Sequence, residues 1–443
     1  MMNKDYLIRL IAEYNPQLRG EAIAAPEFQR DLYAEVMEWM GRKEAIAIVG
    51  LRRTGKTTIM RQLMKDLGQG VLFFSFDEEE TQNKETLTFV IDYALHVTGA
   101  THIFLDEIQY VSDWEGVLKR YYDQKEVKCI VSGSESLELS RAKAALAGRI
   151  ISFRLDPLSF GEYLRMKGMA IEKGPVSPED YPAMEALYQR HVAGKELLEH
   201  EFLEYLYKGA FPELVSEENP VMIRRYIQEL VVKKIIYRDI PAIFEIRRRD
   251  LLYELFRYAC ENSAGLFDIR KLCTIFNANY ETVSNYLFYL KAAFLVTSAE
   301  SYSGSPATRL RRNKKIYVVH PAIAFAVLGI EREMLSEEML GQFVETIFAG
   351  RYFWRDKQKR EVDVVHDTGH LLPVEVKYRN RIAPADLRGL LAFMEKFRVD
   401  RGIMVTKDTM DRRTLHAGEI LFYPCWLYLL GQRISLPAPH PPE

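Results

Sequence analysis

The run Gly50-Leu51-Arg52-Arg53-Thr54-Gly55-Lys56-Thr57-Thr58 is a glycine-bounded loop closed by a lysine and two hydroxyl residues. Such glycines let backbone N–H groups curl round phosphate oxygens, and a helix opening at the lysine directs its partial positive charge at them. Gly50, Arg52, Arg53, Thr54, Gly55 and Thr58 are expected to line a nucleotide site, ATP being the expected ligand. At this spacing Lys56 reaches the β- and γ-phosphates and the Thr57 hydroxyl ligates magnesium. Further along, Ile103-Phe104-Leu105 ends in the acidic pair Asp106-Glu107. Asp106 is expected to hold Mg2+ directly or through water, and Glu107 to orient or deprotonate an attacking water. Ser132 and Ser134 end the next apolar run, within reach of the γ-phosphate or that water. Small residues at a strand end also serve simply as turn formers. Arg149, after Gly148, is the arginine best placed in the sequence to stabilise phosphoryl charge. It would act within its own subunit or on a neighbour, so a homo-oligomer is among the expected partners.

A second set of such residues lies towards the C-terminus. In EVDVV and PVEVKY the polar residues recur at every second position, which puts Glu361 with Asp363 on one strand face and Glu375 with Lys377 on another. An Asp on one strand and a Glu-x-Lys on the next can hold a divalent metal, Mg2+ or Mn2+. The metal would lower the pKa of bound water and the lysine would position it. Glu345, on the preceding helical stretch QFVETIF, would complete the set. The plainer reading is a half-exposed strand pair with solvated charges. Upstream, Arg309, Arg311, Arg312, Lys314 and Lys315 follow a helix carrying Tyr280, Asn285, Tyr286 and Tyr289. Basic residues beside a helix suit contact with a DNA backbone, although aromatics at helical spacing are more often core. Arg247, Arg248 and Arg249 read as a solvated helix end.

These residues need elements to hold them. Residues 29–42 have helical periodicity. EAIAIVG, VLFFSF, HIFLDEI and KCIVSGS are short apolar runs ending in glycine or polar residues, with helical segments between them. That alternation predicts a parallel sheet covered on both faces, with its site at the carboxyl ends of the strands. The texture turns helical over 184–208 and 219–240. Residues 250–296 read as three helices and a strand, with a turn at Asn277-Ala278-Asn279 and a helix from about Thr282, the pattern of a helix-turn-helix. Residues 301–315 read as a wing or linker. A second α/β pattern follows: the helix MLGQFVETIFAGRY, strands FWRDK, EVDVVHD and LLPVEVKY, the helix PADLRGLLAFMEKF, and strands GIMVT and YPCWLYLL. The fold class is therefore α/β. The expected division is a P-loop core over 1–165, a helical lid over 166–245, a winged helix with basic linker over 246–330, and a second α/β domain over 331–432. A Pro-rich tail, 433–443, is expected to be disordered.

Composition agrees with several folded domains: 443 residues, 48% apolar and 28% charged. The net charge of −2 gives no global attraction to nucleic acid, so any such contact rests on local patches. The four cysteines are scattered and form no CxxC pair, which argues against structural zinc and disulfides. No apolar run reaches the roughly 18–20 residues needed to cross a bilayer. The N-terminal MMNKDYLIRLIAEYN lacks the features of a signal peptide. A cytoplasmic location without membrane contact is the expectation.

The chain resembles an AAA+-superfamily group of archaea and bacteria, related to the STAND ATPases. GLRRTGKTT, IFLDEIQ, VSGSES, AGRIISFRLDPLSFGEYL, GAFPELV, YRDIP, KIYVV, WRDKQKREVDVV and PVEVKY carry the resemblance, which spans nearly the whole chain. It implies a P-loop ATPase joined to a winged helix and a C-terminal domain like the PD-(D/E)XK nucleases. It adds weight to Arg149, since a Gly-Arg pair before the PLSF element recurs in the group. An acidic residue is expected before Pro321, where this chain has His320. The implied function is Mg-dependent ATP hydrolysis coupled to a DNA-binding or nuclease-like domain. The alternative is a nucleotide-driven signalling or scaffold switch without nuclease activity.

Overall fold

The computed structural model describes residues 4–124, 127–133, 146–171, 176–305, 309, 313–367 and 369–431. It falls into two compact units, one built mainly from residues up to Asp156 and the other mainly from Pro157 onward.

In the first unit, β1 (Ala45–Val49), β2 (Val71–Ser75), β3 (His102–Asp106), β4 (Lys128–Gly133) and β5 (Ile150–Arg154) form a sheet in the order β2-β3-β4-β1-β5. All its pairings are parallel. Every residue of β1 is buried, as expected of a strand covered on both faces. Ile46 and Ile48 pack with Ile59 and Leu63 of helix Lys56–Leu67 and with Phe104 and Ile130. The order sets β4 between the P-loop strand and the acidic-pair strand. Ser132, at the end of β4, therefore lies between Ile48 on one side and the Leu105–Asp106 strand end on the other. The edge strand β2 is capped by the N-terminal segment. The Asn15 amide donates to the Phe73 carbonyl (2.7 Å) and accepts from the Phe73 N–H (2.7 Å). This side chain thus pairs both backbone groups of Phe73, as a neighbouring strand would.

The second unit begins with helices Phe160–Met166, Tyr181–His191, Lys195–Lys208 and Pro220–Arg225, the last continuing into π-helical turns over Tyr226–Val232 and Ile235–Asp239. Helix Arg249–Glu261, the short β6 (Leu266–Phe267), helix Ile269–Phe276 and helix Tyr280–Ala292 follow, then β7 (Val296–Ser301) and β8 (Lys314–Val318). Asn277 takes the left-handed conformation (φ 45°) that ends one helix, and the Asn279 side chain caps the next by accepting from the Thr282 N–H at 2.7 Å. β8 is antiparallel to both β6 and β7.

After helices Pro321–Leu328 and Glu337–Ile347 come β9 (Tyr352–Arg355), β10 (Glu361–Asp367) and β11 (Leu371–Lys377). Helix Arg388–Phe397, β12 (Arg401–Thr406), β13 (Asp411–Leu415), β14 (Gly418–Pro424) and helix Cys425–Gly431 complete the unit. Helix Arg388–Phe397 lies so close to β10 that a Cβ on Gly389 would stand 1.9 Å from the Glu361 carbonyl oxygen. The stretch YPCWLYLL is not one strand: β14 ends at Pro424 and Cys425 starts a wholly buried helix. β7 pairs in parallel with β9, Glu300 opposite Tyr352 and Ser301 opposite Phe353. The hairpin segment and the C-terminal strands therefore share one nine-stranded sheet, β13-β14-β12-β11-β10-β9-β7-β8-β6.

Candidate nucleotide site and the C-terminal carboxylate cluster

The loop after β1 has the backbone its sequence demands. Gly50 (φ 154°) approaches the chain so closely that a Cβ would lie 2.1 Å from the Leu155 carbonyl oxygen. Gly55 (φ 98°) is left-handed at the start of helix Lys56–Leu67, and Arg53 (φ 68°) is left-handed without being glycine. Lys56 is buried, and its Nζ donates to the carbonyls of Gly50 and Leu51, both at 3.0 Å. The ammonium group therefore lies inside the curl of the loop. The Thr54 hydroxyl closes the curl onto the Leu51 carbonyl at 2.8 Å. Arg52 and Thr58 lie in or next to the same loop, half-buried.

Asp106 is 5% exposed and gathers two hydroxyls: Thr57 Oγ1 donates to Oδ2 at 2.8 Å, and Ser132 Oγ donates to Oδ1. Burial, and then the charge of Glu107, push its carboxyl up to about 6, against the opposing pull of both hydroxyls and Lys56. The Glu107 N–H donates to Ser132 Oγ at 3.3 Å, and Gln109 Nε2 donates to the Glu107 carboxylate. Glu107 itself is left-handed (φ 54°), a conformation that costs a non-glycine residue of order 1–3 kcal/mol and concentrates at functional sites. Thr57 and Asp106 together present adjacent oxygen ligands beside the loop. That suits a Mg2+ ion whose remaining ligands are phosphate oxygens and water. Ser134 lies outside the described residues.

Two features of this site escape sequence reasoning or correct it. Arg30, buried, donates to the Thr54 carbonyl (2.7 Å) and to the Asp156 carbonyl (2.8 Å), bracing the loop from behind. No sequence signal marks this arginine, which stands just before helix Leu32–Glu38. Arg149 does not stand at its own subunit's site. It precedes β5, whose Ile150 pairs with Ala45 at the start of β1, whereas Arg154 pairs with Val49 beside the loop. That span of a strand is roughly 13 Å at about 3.3 Å per residue. Arg149 Nε is bound to Asp123 Oδ1 at 2.9 Å, at the opposite end of the sheet from the phosphate loop.

In the second unit the carboxylates Glu345, Glu361, Asp363 and Glu375 do converge, together with two lysines. Lys377 Nζ lies 2.5 Å from Glu375 Oε1 and 3.7 Å from Asp363 Oδ2. The Val376 N–H donates to Asp363 Oδ2 at 2.9 Å. The second lysine is Lys315 of β8, 2% exposed, whose Nζ is 2.7 Å from Glu345 Oε1, 2.5 Å from Glu361 Oε1 and 3.5 Å from Asp363 Oδ1. Tyr317 donates to Glu345 Oε1 at 3.2 Å. Burial, and then Asp363, push the Glu345 carboxyl up to about 7. Burial likewise raises Glu375 well above the carboxylate range, while Lys377 and Lys315 hold Asp363 below it despite burial. Among the described residues no three of His, Cys, Asp or Glu stand together in a way that would hold a metal ion. As arranged, with an ammonium among three of its carboxylates, the cluster does not fit the Mg2+ or Mn2+ expected there.

The expected DNA-facing residues are also redistributed. Tyr286 is buried and accepts from the Arg248 N–H (3.1 Å), while Tyr289 stacks on Phe244 with ring centroids 4.0 Å apart. Both belong to the packing of the helices, as aromatics at helical spacing commonly do. Tyr280, 58% exposed, and Asn285 remain on the surface. Of the basic run, Lys314 pairs with Glu300 (3.0 Å) and Arg309 donates to the Tyr352 hydroxyl (3.1 Å). With Lys315 buried, those three are engaged internally, and Arg311 and Arg312 lie outside the described residues. Arg247, its side chain 86% exposed, is solvated as the sequence suggests, but it lies in the bend between helices Ile240–Ile243 and Arg249–Glu261 rather than at a helix end. His320 takes the capping position expected of an acid: its Nδ1 accepts from the Ala322 N–H at 3.2 Å at the start of helix Pro321–Leu328.

Comparison with known proteins finds family matches along the chain. An AAA domain family matches residues 42–164, which contain the loop, the acidic pair and the strand β4 between them. Two families described only as domains of unknown function, DUF8612 and DUF4143, match residues 199–334 and 337–428. An uncharacterized protein of Methanocaldococcus jannaschii is 29% identical over 289 residues, which is 61% of this chain and 59% of that one. A second uncharacterized protein of the same organism is 24% identical over 420 residues, 90% of this chain and 84% of that one. A solved STAND protein with a tetratricopeptide repeat sensor from Pyrococcus horikoshii, 13% identical, aligns over 74% of this chain and 47% of that one at a TM-score of 0.26. Among the described residues no helix is long and apolar enough to cross a membrane.

Proposed function

We propose that this AAA-domain protein is a magnesium-dependent ATPase whose nucleotide state works as a switch. The observation that carries the proposal is the hydrogen bond from Thr57 to Asp106 beside a loop whose interior holds the Lys56 ammonium. In this reading the loop N–H groups and Lys56 bind the β- and γ-phosphates. Thr57 and Asp106 would hold Mg2+, which would supply positive charge against the charge developing on the transferred phosphoryl group. Glu107 takes the proton of the attacking water, and its Gln109 partner fixes the carboxylate's orientation. Ser132, bonded to Asp106 and to the Glu107 N–H, keeps the two carboxylates in register.

The resemblance also implies a winged helix and a nuclease-like output. In favour of the winged helix stands the order helix, strand, helix, turn, helix, hairpin, with β8 between β6 and β7. The nuclease-like and DNA-binding outputs draw less support. The carboxylates expected to hold metal are engaged by Lys315, and the described basic residues Arg309, Lys314 and Lys315 have partners within the protein. A nucleotide-driven signalling or scaffold switch is therefore the output proposed, with self-association as its natural readout.

The test is ATP hydrolysis with and without Mg2+ and with and without duplex DNA, for wild type and Glu107→Gln. Turnover that needs Mg2+, ignores DNA and falls about a hundredfold or more in Glu107→Gln, with ATP still bound, is the expected result. DNA stimulation lost in the variant would turn the proposal towards a DNA-directed machine. Absence of nucleotide binding by wild type would overturn it.

A further inference from the structure

Lys315 belongs to a hairpin strand, yet its ammonium lies among carboxylates drawn from helix Glu337–Ile347 and strand β10. Buried carboxylates need compensating charge, because ionised groups away from water cost several kcal/mol each. Lys315 supplies it at 2.5–3.5 Å from Glu345, Glu361 and Asp363. A hard divalent cation bridging these oxygens would sit about 2.0–2.6 Å from them, in the same place. Two cations a few ångströms apart in a dry interior repel strongly, so one excludes the other. Lys315 is also held from behind. Its backbone pairs with Leu266 on one side and Ala299 on the other, and its Nζ lies 5.5 Å from the Phe353 ring centroid. Arg355 Nη1 takes the other Glu361 oxygen at 3.1 Å. Glu375 Oε2, by contrast, is buried without a hydrogen-bond partner.

We propose that Lys315 is the resident cation of this cluster: it takes the place of a divalent metal, and the cluster is an ionic lock between the β7–β8 hairpin and the β9–β11 strands. The resemblance to metal-dependent nucleases then describes the carboxylates but not their occupant. Because Lys315 comes from outside the Asp–Glu-x-Lys strand pair, a sequence can keep that motif intact and still be closed to metal. This inference stands or falls independently of the reading of the phosphate loop.

The test is Mn2+ binding by electron paramagnetic resonance on full-length, nucleotide-free protein, in wild type, Lys315→Met, Asp363→Asn and the double variant. Wild type and Asp363→Asn are expected to bind Mn2+ alike. Lys315→Met is expected to gain a site per chain, at least about tenfold tighter than any wild-type binding there, and to lose it again in the double variant. Mn2+ should also raise the melting temperature of Lys315→Met and not that of wild type. Loss of a bound Mn2+ from wild type on Asp363→Asn overturns the proposal, as does a folded Lys315→Met that gains no site. Should Lys315→Met fail to fold, the comparison of wild type with Asp363→Asn and Glu345→Gln decides alone: equal binding supports the lock, and lower binding in the variants overturns it.

Discussion

His320 shows how a departure from a sequence pattern can keep the physics of the position. An acidic residue before Pro321 would cap the helix as an acceptor, and the neutral imidazole Nδ1 does the same. The ring is fully buried, edge-on to Tyr205 at 4.9 Å, and its Nε2 has no hydrogen-bond partner. Burial therefore pushes its pKa from 6.5 down to about 3. Between those values the unfolded chain binds a proton that the folded protein refuses. The stability this group contributes is present above pH 6.5 and lost as pH falls towards 3. His320→Asn keeps a capping acceptor and does not titrate, so its urea midpoint should fall less steeply than that of wild type between pH 6.5 and 4. The difference is at most about 1.4 kcal/mol per pH unit. Parallel curves would mean that His320 is not held neutral. Arg149 yields a second prediction at this scale. Bound to Asp123 at the far end of β5, it has no part in its own subunit's chemistry. Arg149→Ala should leave turnover of dilute, monomeric protein within about twofold of wild type, since an exposed pair is worth roughly 0–1 kcal/mol. A loss comparable to that of Glu107→Gln in dilute protein would contradict the placement.

At the scale of elements, β2 is an edge strand covered by two side chains of the N-terminal segment. Asn15 pairs with both backbone groups of Phe73, and Gln17 Nε2 adds a bond to the Val71 carbonyl at 3.2 Å. Asn15→Ala should leave two buried backbone groups unpaired, at a cost of about 2 kcal/mol or more. It should also bare an edge that promotes aggregation. Amide hydrogen exchange of β2 in the variant checks this, and unchanged protection at Phe73 would show that the edge is covered without Asn15. The same elements show what the sequence could carry. β1 to β4 were legible because a buried parallel strand is a short apolar run, and because each ends in residues with chemistry. β5, IISFR, mixes polar and apolar residues at a half-exposed edge and has no such mark. CWLYLL is apolar all round, so neither a period of two nor one of 3.6 distinguishes strand from helix there. Arg30 and Lys315 were illegible for another reason: each acts on residues far away in the chain. A lysine in a basic run reads as solvated until the fold brings three carboxylates to it.

The nine-stranded sheet makes the second unit more continuous than its sequence suggests. A change of texture near residue 330 invites a boundary between hairpin and C-terminal strands, yet β7 pairs with β9 across it. The Lys315 cluster then ties β8 to β10 and to helix Glu337–Ile347. Ser263 adds a buried hydroxyl contact to Thr346 at 2.9 Å, between the segment after helix Arg249–Glu261 and that same helix. Backbone ladder, ion pairs and buried hydroxyls thus all cross the apparent boundary. Elements joined in this way should open together rather than in turn. Native-state hydrogen exchange is expected to give β7, β8, β9 and β10 the same opening free energy, and the same dependence on low denaturant. Lys315→Met should loosen this coupling: β7 and β8 would then exchange faster than β10 and β11, because the hairpin loses its ion pairs to β10 and keeps its short pairing with β9 and the Tyr317–Glu345 hydrogen bond. If wild-type β7 and β8 already exchange well before β9 and β10, the hairpin is an independent module, and the sheet's continuity contributes little to its stability.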